Sequence, residues 1–520
     1  MVFGLGFLLV LIYLLYFYFA LFHSDSAAYA ILASSVVQEG TVLPHHFIYG
    51  NQLSLLKNHL GIALAMHFGF SGYMAYAIGS ALNFAAFFTI AFAALRSVFA
   101  LSTSLIIILA LAFFFPLGTE EADYILGQQS HLAVCTFALV LASQGFYIVS
   151  NANAQKPSLG LRNLFFPLVI SGTLLGLLAI EQPARALLIA IPILLTLFWY
   201  RVLSKTWVYY LGLSAFIGAG ALLNRRFGQT REIVGTHFEV NSLLSAQQNL
   251  STLIGQFPQC YWNWCNWITP ISDRFIATPI VIALCVFTAW QLARPKPASQ
   301  PNAMPLGSFA IFLGRFSLLG LLSGLLLTSF INVETDLRHA LWAIELFKLA
   351  CILLFAQLLT QYAHSIRLGI AGAFLMVALL SAVTPTFINS QNRQALQARL
   401  TEQGNTPLLQ KLRELQQAYP WQYLYGIDFW QTIKLEVLAP PLKTTLMYVD
   451  ENAIKLIRTL SRSDRACVSE SVLYLLDKSA NSEEFIQRIK SQGGQLEWTS
   501  TGNEVLWSGP PIWDKTQCNP

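Results

Sequence analysis

Residues 1–22 (MVFGLGFLLVLIYLLYFYFALF) contain no charged side chain. At about 1.5 Å of rise per residue, a helix of that length crosses a bilayer once. Further apolar segments of spanning length lie at 72–95, 98–117, 131–149, 164–180, 186–200, 206–223, 276–293, 308–330, 340–362 and 368–385. With the first, they predict about eleven spans, the pair around 164–200 being interrupted by Glu181-Gln182-Pro183-Ala184-Arg185. Only 11% of the residues are charged and 55% are hydrophobic, whereas soluble domains carry about 25% charge, so the chain reads as an α-helical polytopic membrane protein. No Lys or Arg precedes the first apolar run and no clear A-x-A site follows it, which favours a span over a signal peptide. The net charge of +5 comes from scattered residues, with no basic run of the kind that binds nucleic acid.

Charge sets an orientation. With a cytoplasmic N-terminus, the short inner loops hold Arg96, Lys156 and Arg162, Arg201 and Lys205, Arg294 and Lys296, and Arg367, with no Asp or Glu among them. The opposite loops hold Asp25, Glu39, Glu120, Glu121, Asp123 and Glu181, in accord with the positive-inside rule. A bacterial inner membrane, with the C-terminal part on the periplasmic side, is the expected location. Cys135, Cys285 and Cys351 then fall within spans, and Cys260, Cys265, Cys467 and Cys518 fall outside the cytoplasm. Those four permit two disulfides, Cys260–Cys265 and Cys467–Cys518, or remain free thiols.

The chain divides at the loss of long apolar runs, into a membrane part over 1–385 and a soluble outer domain over 386–520. Large outer segments occupy 24–71 and 224–275, the latter with Arg225, Arg226, Arg231, Glu232 and His237 at one end and Tyr261, Trp262, Trp264 and Trp267 at the other. In the outer domain, LLQKLRELQQAY has helical periodicity, TTLMYV, SVLYLL, QLEWTS and EVLWSG read as strands, and helices are predicted near 451–460 and 482–491. A small α/β unit is the expected fold.

Asp25 follows the first span directly, in His23-Ser24-Asp25-Ser26. As structure, Ser24 or Asp25 caps the next helix; as chemistry, Asp25 is an acid/base group at the membrane–water boundary. Glu120, Glu121 and Asp123, followed by His131, form an acidic outer loop that suits a metal or substrate hydroxyls, or is simply solvated. Glu181 and Arg185 are four apart, a spacing that shares one helix face, as a working pair or a salt bridge at the bilayer edge. Arg338 and His339 stand where an outer loop enters a span, with Glu345 and Lys348 one or two turns deeper. Paired N–H donors and a permanent charge suit Arg to phosphate; snorkelling, or pairing with Asp336, is the structural reading. Lys57, on the first outer segment, joins the supporting residues.

With these residues in place, the layout resembles the GT-C superfamily of membrane glycosyltransferases over about 1–385. The likeness rests on an acid after the first span in an Asp-x-x-x-Tyr-x-x-x-Ala setting (Asp25, Tyr29, Ala33), a long first outer loop, an acidic second loop, a late outer Arg and a C-terminal outer domain. Two departures are visible: Asp25 is followed by Ser26 where many members have Asp-Glu, and Arg338 by His339 where many have Arg-Tyr. The resemblance implies a polyprenyl-phosphate-linked sugar as donor, Asp25 as catalytic base, and Arg338, Arg185 and His339 at the lipid phosphate. An acceptor outside the cytoplasm (glycan, lipid or protein) completes the set of partners. It brings no certain cofactor; the acids at 120–123 leave room for a divalent cation, Mg or Mn.

The chemistry is consistent with that set. The phosphate of a lipid-linked sugar leaves as an anion and needs no proton, so one general base suffices, and a cation must meet the growing phosphate charge. Single displacement would invert the anomeric carbon. The competing expectations are a polysaccharide polymerase or ligase using diphosphate-linked donors, a transporter or flippase with its ionisable residues deep in the membrane, and a non-catalytic scaffold.

Overall fold

The computed structural model describes residues 1–50, 52–116, 119–153, 161–233, 242–251, 305–330, 337–359, 406–419, 421–450, 453–457, 471–478, 480–500 and 504–513. The expected spans at 276–293 and 368–385, the aromatic cluster Tyr261–Trp267, and Cys260, Cys265, Cys285, Cys467 and Cys518 lie outside them. Cys135 and Cys351 are free thiols.

Apolar sequence becomes helix where expected. The helices are α1 (Val2–Tyr16), α2 (Ser24–Glu39), α3 (His59–His67), α4 (Gly72–Val98), α5 (Thr103–Phe114), α6 (Thr119–Ala122), α7 (Leu132–Asn153), α8 (Leu161–Glu181), α9 (Pro183–Trp199), α10 (Leu203–Gly228), α11 (Pro305–Phe330) and α12 (Leu341–Leu359). Among the described residues five helices are long and apolar enough to cross a membrane, lying within α4, α7, α8, α10 and α11. The chain is therefore a multi-pass membrane protein, and a total of eleven spans is not established. Two expected spans are shorter than drawn. The first apolar run is α-helical only to Tyr16 and continues as a 3-10 turn over Tyr18–Leu21, and α5 covers 12 residues of the run at 98–117.

The chain forms two compact units. One contains residues 1–6, 84–226 and 236–393. In it α7 packs on α8 and α12, α9 on α8 and α11, and α11 on α12. Small residues allow the closest of these approaches: a Cβ on Gly320 of α11 would stand 2.4 Å from the Trp342 ring.

The other unit contains residues 7–83, 227–235 and 394–520, so the first outer segment packs together with the C-terminal part. There α3 crosses α4 backbone to backbone. A Cβ on Gly79 would meet the Ile62 Cα at 2.2 Å, and one on Gly61 would meet the Gly79 carbonyl oxygen at 2.2 Å. The two large outer segments also meet here: Tyr49 N–H donates to the Glu232 carbonyl at 2.9 Å, and Arg231 Nε donates to the Leu43 carbonyl at 2.9 Å. Glu39 accepts from the His45 and His46 amides at 2.7 and 3.2 Å, which gives the Pro44-His45-His46 turn a structural role.

The C-terminal part is an α/β domain. Its elements run α13 (Pro407–Ala418), β1 (Tyr423–Gly426), α14 (Phe429–Thr432), α15 (Leu435–Leu438), β2 (Lys443–Asp450), β3 (Ala453–Ile457), β4 (Val472–Asp477), α16 (Ala480–Ser491), β5 (Gln495–Thr499) and β6 (Glu504–Gly509). The sheet order is β3-β2-β1-β4-β6-β5, with β1 parallel to β2 and β4 and the outer pairings antiparallel. The central strand β4 alternates Val472, Tyr474 and Leu476 into one core with Phe485 and Ile489 of α16. Leu473 and Leu475 enter a second core with Leu409 and Leu412 of α13. Burial on both faces is what a continuous apolar strand requires.

One sequence expectation is overturned here. The helix predicted near 451–460 is strand β3, antiparallel to β2, with Asp450 paired to Ala453. Ile454 and Leu456 alternate into the core, and so short an apolar run does not separate strand from helix by its period.

Candidate functional site

The site grows from the junction of α8 and α9. Helix α8 ends at Glu181, Gln182 is extended, and Pro183 opens α9 at a position where a missing N–H costs nothing. Glu181 and Arg185 therefore straddle a helix break and do not share one helix face, as their spacing alone had implied. They still pair, Arg185 Nη1 donating to Glu181 Oε1 at 3.2 Å, with Glu181 buried and only 11% of the Arg185 side chain exposed. Asn224 Nδ2 donates to the carbonyl oxygens of Ile180 and Glu181 at 2.7 and 3.3 Å, which steadies the end of α8.

The acidic loop delivers a second nitrogen to the same place. After α6 the backbone makes a π turn over Asp123–Gly127, and Gln129 takes a left-handed conformation at φ 57°, uncommon for a side chain of that kind. This reversal sets His131 just before α7, buried, with its amide donating to the Tyr124 carbonyl at 3.2 Å and its ring 5.3 Å from that of Tyr124. A third nitrogen arrives from the 3-10 turn Leu337–Ala340, which leads into α12 and carries His339.

His131, Arg185 and His339 line one small hollow together with Val134, Leu188 and Trp342. The hollow is small and partly open to solvent. A guanidinium and two imidazoles around one recess can receive an anion by charge and by N–H donation. Among the lining residues there is no carboxylate.

Glu121 and Asp123 of the acidic loop turn to separate partners. Glu121 is buried and meets Lys348 Nζ at 3.1 Å, while Lys348 also pairs with Glu345 and donates to the Phe115 carbonyl at 2.6 Å. Asp123 instead accepts from its own loop, from Gln128 Nε2 at 2.6 Å and the Gln128 amide at 3.4 Å. Glu120 lies in α6, and its side chain falls outside the described residues. Among the described residues no group of three or more His, Cys, Asp or Glu could hold a metal ion.

The remaining expected residues lie elsewhere. Arg338 belongs to the same 3-10 turn as His339, and its side chain falls outside the described residues. Asp25 and Lys57 belong to the other unit. Lys57 is buried at 2% exposure beside Asn58, whose Nδ2 donates to Ser80 Oγ at 2.9 Å. Asp25 is partly buried in the first turn of α2.

The capping expectation for Ser24 fails. His23 is the N-cap and offers no side-chain bond, and Ser24 Oγ donates to the Phe429 carbonyl at 2.6 Å. Asp25 thus sits where the helix dipole favours an anion.

Two features of the helical unit went unread in the sequence as structure. Trp342 walls the hollow, and Glu345 and Lys348 belong to a buried ionic cluster with Glu121. The i,i+3 spacing of two opposite charges inside an apolar run was the available signal for the latter. A further buried guanidinium, Arg315, lies over the rings of Trp199 and Tyr200, at the opposite end of α9 from Arg185.

Apolar helices of spanning length, a recess lined by an arginine and two histidines, and an α/β domain define the class: a polytopic membrane protein with a C-terminal α/β domain. No protein-family model and no curated protein matches the sequence. Among solved structures, the chain is similar to ArnT from Cupriavidus metallidurans bound to undecaprenyl phosphate, with 13% identity, 97% of this chain and 98% of that one covered, and a TM-score of 0.46. The apo state of the same protein gives 12% identity, 94% of each chain covered and a TM-score of 0.44. The archaeal oligosaccharyltransferase AglB from Archaeoglobus fulgidus, in complex with an inhibitory peptide and a dolichol-phosphate, gives 14% identity and a TM-score of 0.38, with 98% of this chain and 74% of that one covered.

Proposed function

We propose that this protein is a membrane glycosyltransferase that moves a sugar from a polyprenyl-phosphate donor to an acceptor outside the cytoplasm. The observation that carries the reading is the hollow where His131, Arg185 and His339 converge, walled by Trp342, Val134 and Leu188. In this reading Arg185 grips the lipid phosphate and neutralises the charge that builds as the glycosidic bond breaks. His339 and His131 add N–H donors, and Arg338 on the same turn adds a second guanidinium. Asp25 takes the proton from the attacking acceptor hydroxyl, and single displacement inverts the anomeric centre. The N-terminus is cytoplasmic and the C-terminal domain extracytoplasmic, a reading the loop charges support. Glu121 and Asp123 serve the fold around the acidic loop.

Two measurements on the detergent-solubilised protein test this. Native mass spectrometry should detect bound undecaprenyl phosphate and no bound undecaprenol, with binding lost in Arg185→Ala and weakened in His339→Ala. Transfer of label from lipid-linked sugar in membranes should fall about 10²- to 10⁴-fold in Asp25→Asn, the range for removing a general base, at unchanged protein level. Equal binding of the alcohol and the phosphate, or full turnover in Asp25→Asn, ends the proposal.

A transporter or flippase is favoured by one separate observation, the buried cluster of Glu121, Glu345 and Lys348 within the helical unit. It would show lipid flux across proteoliposome membranes that depends on Lys348, and no transfer product.

A further inference from the structure

The C-terminal domain touches the first outer segment at a chemically specific place. At the end of β1 the chain turns through Asp428 into the short helix α14, Asp428 Oδ1 accepting from the Trp430 amide at 2.7 Å. The turn is tight: a Cβ on Gly426 would stand 2.0 Å from Thr432 Oγ1, so α14 folds directly back on β1. From the other side, Ser24 Oγ donates to the Phe429 carbonyl at 2.6 Å. Trp430, the next residue, is nevertheless 54% exposed, its ring centroid 5.9 Å from that of His23. His23 is the N-cap of α2, and Asp25 stands two residues further, in the first turn.

A residue whose backbone is tied down at the start of its helix loses little backbone freedom when a ligand covers its side chain. The indole's flat apolar face beside Asp428 and His23 matches a ring with C–H bonds on its face and hydroxyls at its edge. An apolar tail offers no such hydroxyls, and a peptide would find no open strand edge at β1, which is paired on both sides.

We propose that Trp430 is a stacking platform for a carbohydrate, so that the acceptor presents a sugar ring to this protein, with one ring hydroxyl offered to the Asp25 carboxylate. The proposal rests on the glycosyltransferase reading for its reaction but not for its binding step. In that step the Trp430 indole contacts the pyranose face. Ser24 acts as a positioning residue that keeps the platform on the start of α2.

Saturation-transfer NMR on the full chain in lipid nanodiscs, with methyl glucoside, methyl galactoside and N-acetylglucosamine as probes, tests the platform without turnover. Saturation should reach the ring C–H protons of at least one probe, vanish in Trp430→Ala, and survive in Trp430→Phe. No transfer to the wild type from any probe, or equal transfer in Trp430→Ala, overturns the proposal. Fluorescence of Trp430 strongly quenched by brominated lipids would also overturn it, since the ring would then belong to the headgroup layer. Because sugar binding and turnover are read separately, failure of the platform leaves the phosphate site standing, and failure of the phosphate site leaves the platform standing.

Discussion

Arg185 reaches Glu181 at 3.2 Å across the break between α8 and α9, and the same guanidinium lines the hollow shared with His131 and His339. The carboxylate thus holds the arginine from outside the hollow, and the two roles separate by substitution. Glu181→Gln keeps an acceptor for the guanidinium and should leave undecaprenyl phosphate affinity within about threefold, an estimate resting on the small net worth of one hydrogen bond. Arg185→Lys keeps the charge but loses the planar fork, and should weaken binding about tenfold or more, a charge-assisted bond being worth ~1.5–3 kcal/mol. A titration followed by native mass spectrometry measures both.

Lys348 stands between two carboxylates, 3.1 Å from Glu121 and paired also with Glu345, the carboxylates being 2% and 1% exposed. Removing the ammonium leaves both acids buried without their common partner. Lys348→Met should therefore destabilise the protein by about 3–5 kcal/mol, the usual cost of breaking a buried pair from one side. The triple variant Glu121→Gln, Glu345→Gln, Lys348→Met should recover most of that loss. Thermal unfolding in detergent reports it as a large fall in midpoint for the single variant and a smaller one for the triple.

Gly79 and Gly61 let α3 cross α4 with the backbones in contact, a Cβ on Gly79 standing 2.2 Å from the Ile62 Cα. No side-chain rotation relieves a clash with backbone, so Gly79→Ala should cost about 1–3 kcal/mol or more through overpacking. Gly4→Ala is the control, since nothing lies within 4 Å of the added Cβ. Folded yield by size-exclusion chromatography should fall in the first variant and hold in the second.

Tyr474 lies in the C-terminal domain, where burial pushes its phenol above the usual tyrosine range. Its hydroxyl donates to the Pro510 carbonyl at 2.5 Å. The folded state keeps the proton longer than the unfolded state, so the residue has no effect on stability below about pH 10. Above that, unfolding releases a proton and stability falls, by at most about 1.4 kcal/mol per pH unit. Unfolding of wild type and Tyr474→Phe followed from pH 8 to 11 should show a steeper alkaline loss in the wild type, with the two slopes alike below pH 10.

Much of the architecture is written in local period. The apolar runs at 72–95, 131–149, 164–180 and 308–330 became helices over 72–98, 132–153, 161–181 and 305–330, and the four segments TTLMYV, SVLYLL, QLEWTS and EVLWSG became strands as predicted. Short elements were less legible. Tyr423–Gly426 has four residues and no period to measure, and Ala453–Ile457 looked helical until pairing with β2 claimed its amides. At the site, the sequence offered Arg185, His131 and His339 as separate candidates; three connections between elements had to fold before they lined one hollow.

Composition and periodicity, by themselves, determined that this chain lives in a membrane as helices and carries an α/β domain. Burial of apolar side chains follows from spacing along the chain, and spacing is local. Only the tertiary structure decided that Glu121 would meet Lys348, 227 residues away, and that Ser24 would bond Phe429, 405 residues away. A polar group taken out of water must find a partner, and which partner it finds depends on how the elements pack.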